Sequence, residues 1–248
     1  MANEMVFVRI NAEKDTVTSR QYGVAGFPTI ILAKSDGSEI DRIYGYAEGA
    51  EFVKTIRDYM ADRNTLGDYL RRADTAATPQ TFYLIADKYV GRKKFAEAEG
   101  YYQKILLADP ENKKGYSDSA FYSLADMKSR DKKYAEAEQL YGQLRAKFSQ
   151  SPLAEDALFG IAATKRRAEQ YDDAIAGFRK FLETYPESKQ KEDAEIYIAL
   201  CYEKKGDSTE AVRLYQKFLT DHPQASDGPW VKNQITKITS PPEKKEGK

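Results

Sequence analysis

Cysteine and histidine, the side chains that most often carry nucleophilic, redox or metal chemistry, occur once each in this 248-residue sequence, as Cys201 and His222. A lone cysteine cannot close an intrachain disulfide or build a cysteine zinc cage, and disulfide exchange needs a second, resolving thiol. Cys201 stands in a helical pattern beside Tyr202, which reads as a buried packing position. A histidine-dependent triad would rest on His222 alone, and the following Pro223 places that residue at a turn after a helix. These residue types predict no enzyme, no cofactor and no metal site.

Charge and hydropathy exclude further classes. Lys and Arg number 39 and Asp and Glu number 39, so the net charge is zero. The basic surplus that favours nucleic acid or an anionic membrane is missing. Mean hydropathy is −0.70, and no apolar run approaches the roughly 18 residues of a membrane-spanning helix. A hydrophobic fraction of 41% with 12% aromatic residues is rich enough for a packed core. The opening MANEMVFVRI lacks the basic start and long apolar stretch of a secretory leader, which places the chain as written in the cytoplasm.

The first 62 residues alternate element types. Val6, Val8 and Ile10 follow a strand period, and TVTSRQYG is helical in pattern. TIILA at 29–33 and the segment EIDRIYGYA flank a Lys34-Ser-Asp-Gly37 turn, which predicts a hairpin. Phe52, Ile56 and Met60 recur at helical spacing. The order is β-α-β-β-α.

With FVRINAEKD, YGVAGFPT, the hairpin and the last helix, this segment resembles the C-terminal half of a thioredoxin-like domain. Its most specific residues are Gly26-Phe27-Pro28-Thr29, where the resemblance implies a structural cis-proline at Pro28. The departure is as informative. The strands and the Cys-x-x-Cys helix that precede this point in the family have no counterpart here, and no cysteine stands before residue 201. A strand that would lie between residues 6–10 and 29–33 is also missing. Three readings follow: the two strands pair directly, the segment borrows an edge from a second copy to give a homodimer, or Met1 is an internal start. The third is preferred. On it, the protein is longer and belongs to the periplasm or cell envelope.

From Pro79 to about Trp230 the pattern repeats. FAEAEGYYQKIL returns as YAEAEQLYGQL, YDDAIAGFRKFL and STEAVRLYQKFL. Ala137, Ala174 and Ala211 are spaced by 37 residues, as are Ala120, Ala157 and Ala194. Two series with one period define a repeat architecture. The units resemble tetratricopeptide repeats, carried in the first by Phe82, Ile85, Ala86, Tyr89, Phe95, Ala98, Tyr102, Ile105 and Pro110. Lys128 and Ser149 depart from the pattern in the second unit, Lys165 in the third, and Glu195 and Ser208 in the fourth.

The reading is a mostly α fold: a tetratricopeptide-type α-solenoid of about four helix-turn-helix units behind a partial α/β thioredoxin-like segment. It divides as 1–62, a linker or capping helix at 63–78, the array with its closing helix at 79–238, and a disordered tail at 239–248. Trp230, Ile235 and Ile238 are the expected closing residues.

By resemblance, the first helix of each unit lines the binding face. The implied positions are Tyr83, Asp87, Tyr122, Asp126, Phe159, Arg166, Arg167, Ile196 and Lys204. They form an aromatic-to-aliphatic stripe with acid early and base late, fit for an extended or helical peptide. The competing reading packs the stripe between helices and leaves the charges solvated. Function is therefore read as a non-catalytic interaction scaffold for a protein or peptide, without nucleic acid or membrane insertion. The alternative is the C-terminal part of a longer thiol-disulfide oxidoreductase.

Overall fold

The computed structural model describes residues 5–24 and 26–240. The tail expected to be disordered lies outside them from residue 241 onward. Two compact units divide the chain, Met1–Ala120 and Phe121–Lys248.

The first unit opens with α1 (Thr16–Gln21), whose first turn is held by Asp15: its Oδ1 accepts from the Thr18 N–H at 3.0 Å. Strands β1 (Thr29–Ala33) and β2 (Glu39–Tyr44) pair antiparallel from Thr29 opposite Tyr44 to Ala33 opposite Glu39, with a bulge after Leu32. The intervening turn uses Gly37 at φ +82°, a left-handed conformation that costs glycine little. The Phe27–Pro28 peptide bond is cis.

Residues 6–10 correct one expectation, because they form no strand. Val6, Phe7 and Val8 are 89, 67 and 74% exposed. Alternation alone cannot hold a strand. It needs a neighbour to take its backbone groups, and β1 pairs only with β2 among the described residues. The two segments do not close up on each other.

Helix α2 (Gly49–Met60) also departs in detail: Ile56 and Tyr59 are buried, whereas Met60 is exposed. Tyr59 takes the inward place because its hydroxyl donates to the Arg42 carbonyl of β2 at 3.2 Å. Helix α3 (Leu66–Thr75) is capped by Thr65, and α4 (Pro79–Gly91) by Thr78 with Pro79 in its first turn. Helix α5 (Phe95–Ala108) completes the first helix pair.

A buried polar node ties β2 to α3 and α4. Asp41 has no exposed surface, and its carboxylate meets Lys88 Nζ at 2.9 Å and Arg92 Nη2 at 2.8 Å. It also accepts from the backbone N–H groups of Arg42 and Leu66, at 2.7 and 2.8 Å. Lys88 reaches the Tyr59 hydroxyl at 2.8 Å as well. Close approach seals the joint, since a Cβ on Gly91 would sit 2.3 Å from the Tyr44 ring.

Helix α6 (Ser117–Arg130) carries the boundary between the units. The second unit continues with α7 (Tyr134–Lys147), α8 (Leu153–Arg167), α9 (Tyr171–Thr184), α10 (Lys191–Lys204), α11 (Ser208–Asp221) and α12 (Gly228–Thr239). Successive helices pack as α7 on α8, α8 on α9, α9 on α10 and α10 on α11.

Small residues set the spacing within each helix pair. Ala125 and Ala137, Ala162 and Ala174, and Ala199 and Ala211 are at most 1% exposed, as are Ala86 and Ala98 of the first unit. A larger side chain at any of them would overpack the pair by about 1–3 kcal/mol. Buried residues of the second helices fill the layers above: Tyr141 and Leu144, Phe178 and Phe181, Tyr215 and Phe218.

Two of the departures from the repeat pattern, Lys128 and Lys165, find partners. Lys128 is 6% exposed and pairs with Glu136 of α7 at 2.9 Å. Lys165 lies 3.7 Å from Glu138 and 3.9 Å from Asp173. Helix α12 closes the unit by burying Val231 fully, with Ile235 and Ile238 against the same cluster. The Trp230 ring stands edge-on to Tyr215 at 6.1 Å.

Candidate partner-binding faces

The stripe at 83, 122, 159 and 196 is positioned by a constant internal relationship. Each residue faces the buried residue 19 positions later on the second helix of its own pair. Tyr122 meets Tyr141 at 5.5 Å and Phe159 meets Phe178 at 5.3 Å, both edge-to-face. Tyr83 repeats the geometry against Tyr102 at 6.1 Å in the first unit. Edge contacts of this kind fix the first ring without covering it. Tyr83, Tyr122 and Phe159 are accordingly half-buried.

Ile196 behaves differently. It is 6% exposed and belongs to the cluster of Ala199, Ala211, Tyr215, Phe218 and Val231. An aliphatic side chain at that site sinks onto Tyr215, and Tyr197 takes the neighbouring aromatic place, 5.8 Å from Phe159 and 5.5 Å from Phe178. Sequence spacing misses Tyr197 because it lies one residue off the repeat register.

The charged positions are largely engaged within their unit. Arg167 lies 3.6 Å from Asp126 and donates to Ser129 Oγ at 2.9 Å, and Arg130 holds the same Asp126 at 2.8 Å. Thr164, fully buried, donates to Ser129 at 3.1 Å, so α6 and α8 share a polar seam. The Arg166 guanidinium lies over the Tyr197 ring at 4.4 Å. Lys204 is exposed. In the first unit Asp87 has an exposed edge, yet desolvation by its surroundings raises its carboxyl pKa.

Two carboxylates that the repeat pattern did not single out lie on the same helices. Asp156 on α8 and Asp193 on α10 stand three residues before Phe159 and Ile196. Desolvation raises both pKa values, helped by Glu155 for the first and by Asp227 and Glu192 for the second. The Tyr122 phenol is raised by burial and by the nearby Asp156 and Asp126 charges. Charge on α8 is therefore mixed: Arg166 and Arg167 stand in its last turn and the desolvated Asp156 in its first, while α10 carries the desolvated Asp193 in its own first turn. A cation delivered by a partner would relieve either carboxylate.

Chemistry at the thioredoxin-like end meets no thiol. The cis-proline loop is exposed at Phe27 (71%), and residues 1–200 contain no cysteine. Cys201 is fully buried among Ala162, Phe178, Phe181 and Ile198, and burial pushes its thiol up to about 11. Among the described residues, no three or more His, Cys, Asp or Glu side chains are placed to hold a metal ion. No helix of these residues is long and apolar enough to cross a membrane.

Comparisons with known proteins divide along the chain. Residues 2–60 match the model of a thioredoxin-like domain, and residues 154–232 match the YfiO model, described as an outer membrane lipoprotein. No curated protein sequence matches the chain. Among solved structures, MamA is similar at 19% identity and TM-score 0.54, over 73% of this chain and 98% of its own. BtubC (BKLC) from P. vanneervenii is similar at 15% identity and TM-score 0.55, over 70% and 78%. YrrB, a TPR protein with an unusual peptide-binding site, is similar at 17% identity and TM-score 0.51, over 74% and 88%. At these identities the likeness is one of fold.

Proposed function

We propose that this chain, a tetratricopeptide-type helical array with a thioredoxin-like segment at its N-terminus, is a non-catalytic scaffold that holds a protein or peptide partner. The face assigned to the partner is the one formed in the second unit by the first helices of its repeats, α6, α8 and α10. One observation carries this reading: aromatic rings held edge-on by their own helix pair lie beside the desolvated carboxylate Asp156. Such a face suits an extended segment that presents apolar side chains and a cationic group. Among the similar solved structures, YrrB is a TPR protein with a peptide-binding site. This reading requires no second copy of the chain.

The alternative, the C-terminal part of a longer thiol-disulfide oxidoreductase, draws on the thioredoxin-like match at residues 2–60. It is the weaker reading, because it takes every reactive thiol from outside this chain, whose own Cys201 is buried and held protonated.

The test is retention of a co-purified partner by the wild-type chain against Tyr122→Ala and Asp156→Arg/Asp193→Arg variants. Loss of retention in both variants, with unchanged helicity, supports the face. Undiminished retention in both rejects it.

A further inference from the structure

Within the first unit a cavity of about 980 Å3 opens between the end of α1, the β1–β2 turn, the start of α3 and the α4–α5 turn. Its size is that of a site for a small organic ligand. Five cationic side chains line it, Arg20, Lys34, Arg42, Arg92 and Lys94, against the carboxylates Glu39 and Asp62. Both carboxylates are already engaged. Glu39 is paired with Arg42 and, at 2.8 Å, with Arg92, and Asp62 is held by Arg71 at 2.5 Å. Arg20, Lys34 and Lys94 are exposed, and the closest carboxylate to Lys94 is Glu97, at 4.0 Å. The cavity thus carries positive charge that its own walls do not neutralise.

Arg42 adds an unused donor. The residue is 4% exposed; its Nε donates to Glu39 at 2.8 Å and its Nη2 to the Tyr22 carbonyl at 2.7 Å. Its Nη1 is buried, makes no hydrogen bond of normal geometry and has the Tyr44 phenol as its neighbour. A guanidinium has five N–H donors in a planar fork that matches oxyanions, and leaving buried donors idle is costly.

We propose that this cavity is a binding site for a small phosphate-bearing molecule. Arg20, Lys34 and Lys94 approach from three separate elements. A phosphate has three strong acceptor oxygens and close to two negative charges, where a carboxylate has two oxygens and one charge. Leu66 and Leu70 supply apolar wall for the remainder of the ligand.

The experiment is calorimetric titration of the full chain with pyrophosphate, ATP and citrate. Pyrophosphate and ATP bind saturably, and citrate binds more weakly. Arg20→Glu/Lys34→Glu weakens both phosphates by roughly tenfold per charge replaced, and added salt weakens them further. Both positions are exposed, so circular dichroism of the double variant matches wild type. Lys232→Glu on α12 leaves binding unchanged. The proposal is overturned if neither phosphate binds saturably, if the double variant binds them as tightly as wild type, or if citrate binds as tightly as pyrophosphate.

Discussion

Asp41 on β2 and Arg92 after α4, 51 residues apart, form an ion pair at 2.8 Å in which Asp41 is wholly buried and the Arg92 side chain is 10% exposed. This pair, with Lys88 on the second carboxylate oxygen, makes the thioredoxin-like hairpin and the first repeat helix parts of one compact unit. A buried carboxylate shared by two cations is a specific joint, because removing it leaves Lys88 without its carboxylate and Arg92 with Glu39 alone, both in a desolvated site.

Asp41→Asn therefore destabilises the first unit by about 3–5 kcal/mol. Asp62→Asn, which removes a partner of the exposed Arg71, leaves the denaturation midpoint unchanged. Urea titration monitored by circular dichroism compares the two. Equal midpoints for both variants would show that the node does not hold the unit together.

Two helix glycines of the second unit respond with opposite sign. A Cβ at Gly160 would sit 2.6 Å from the Tyr141 ring, whereas Gly142 has nothing within 4 Å of its added carbon. Gly160→Ala costs about 1–3 kcal/mol by overpacking. Gly142→Ala gains up to about 1 kcal/mol of helix propensity. Denaturant midpoints moving in the same direction would refute the packing argument.

The repeat was legible because its signals are local and periodic: alanines every 37 residues, aromatics at fixed offsets, and prolines after second helices. The strand at 6–10 was misread because its alternation is local, whereas a strand exists only through a neighbour supplied by tertiary structure. Ile196 was misplaced because equivalence of position does not fix depth. Depth depends on what lies below, and a branched aliphatic sinks where an aromatic ring stands on edge. Asp41 was invisible as a node, since its partners lie 47 and 51 residues away and no pattern links them.

The turns between paired helices offer a stabilising substitution. Lys93, Lys132, Glu169 and Gly206 occupy the same place in successive pairs, with φ of +57, +62, +62 and +84°. Only Gly206 has a residue suited to that conformation. Glu169→Gly raises stability by up to about 1 kcal/mol, the left-handed penalty outweighing the added chain entropy. Gly206→Ala lowers it by a similar amount. Thermal unfolding of the two variants checks the pair, and a fall in Tm for Glu169→Gly contradicts it.

Alkaline pH acts on the repeat core through groups that burial keeps neutral. The Cys201 thiol is pushed up to about 11 from an ordinary 9, and the Tyr141 and Tyr215 phenols are raised above their ordinary 10. In each case the folded state holds its proton to higher pH than the unfolded state. Between pH 9 and 11 the unfolded chain releases the Cys201 proton while the folded chain retains it, so stability falls as pH rises through that window. The tyrosines extend the fall above pH 10. Denaturant midpoints recorded from pH 8 to 11 decline, and Cys201→Ala makes the decline shallower near pH 9, where the thiol of the unfolded chain is already titrating and its phenols are largely protonated. In parallel, a thiol reagent at pH 8 leaves Cys201 unmodified in the folded chain and labels it fully in denaturant. Rapid labelling of the folded chain would place the sulfur at an accessible surface and remove the basis of the alkaline effect.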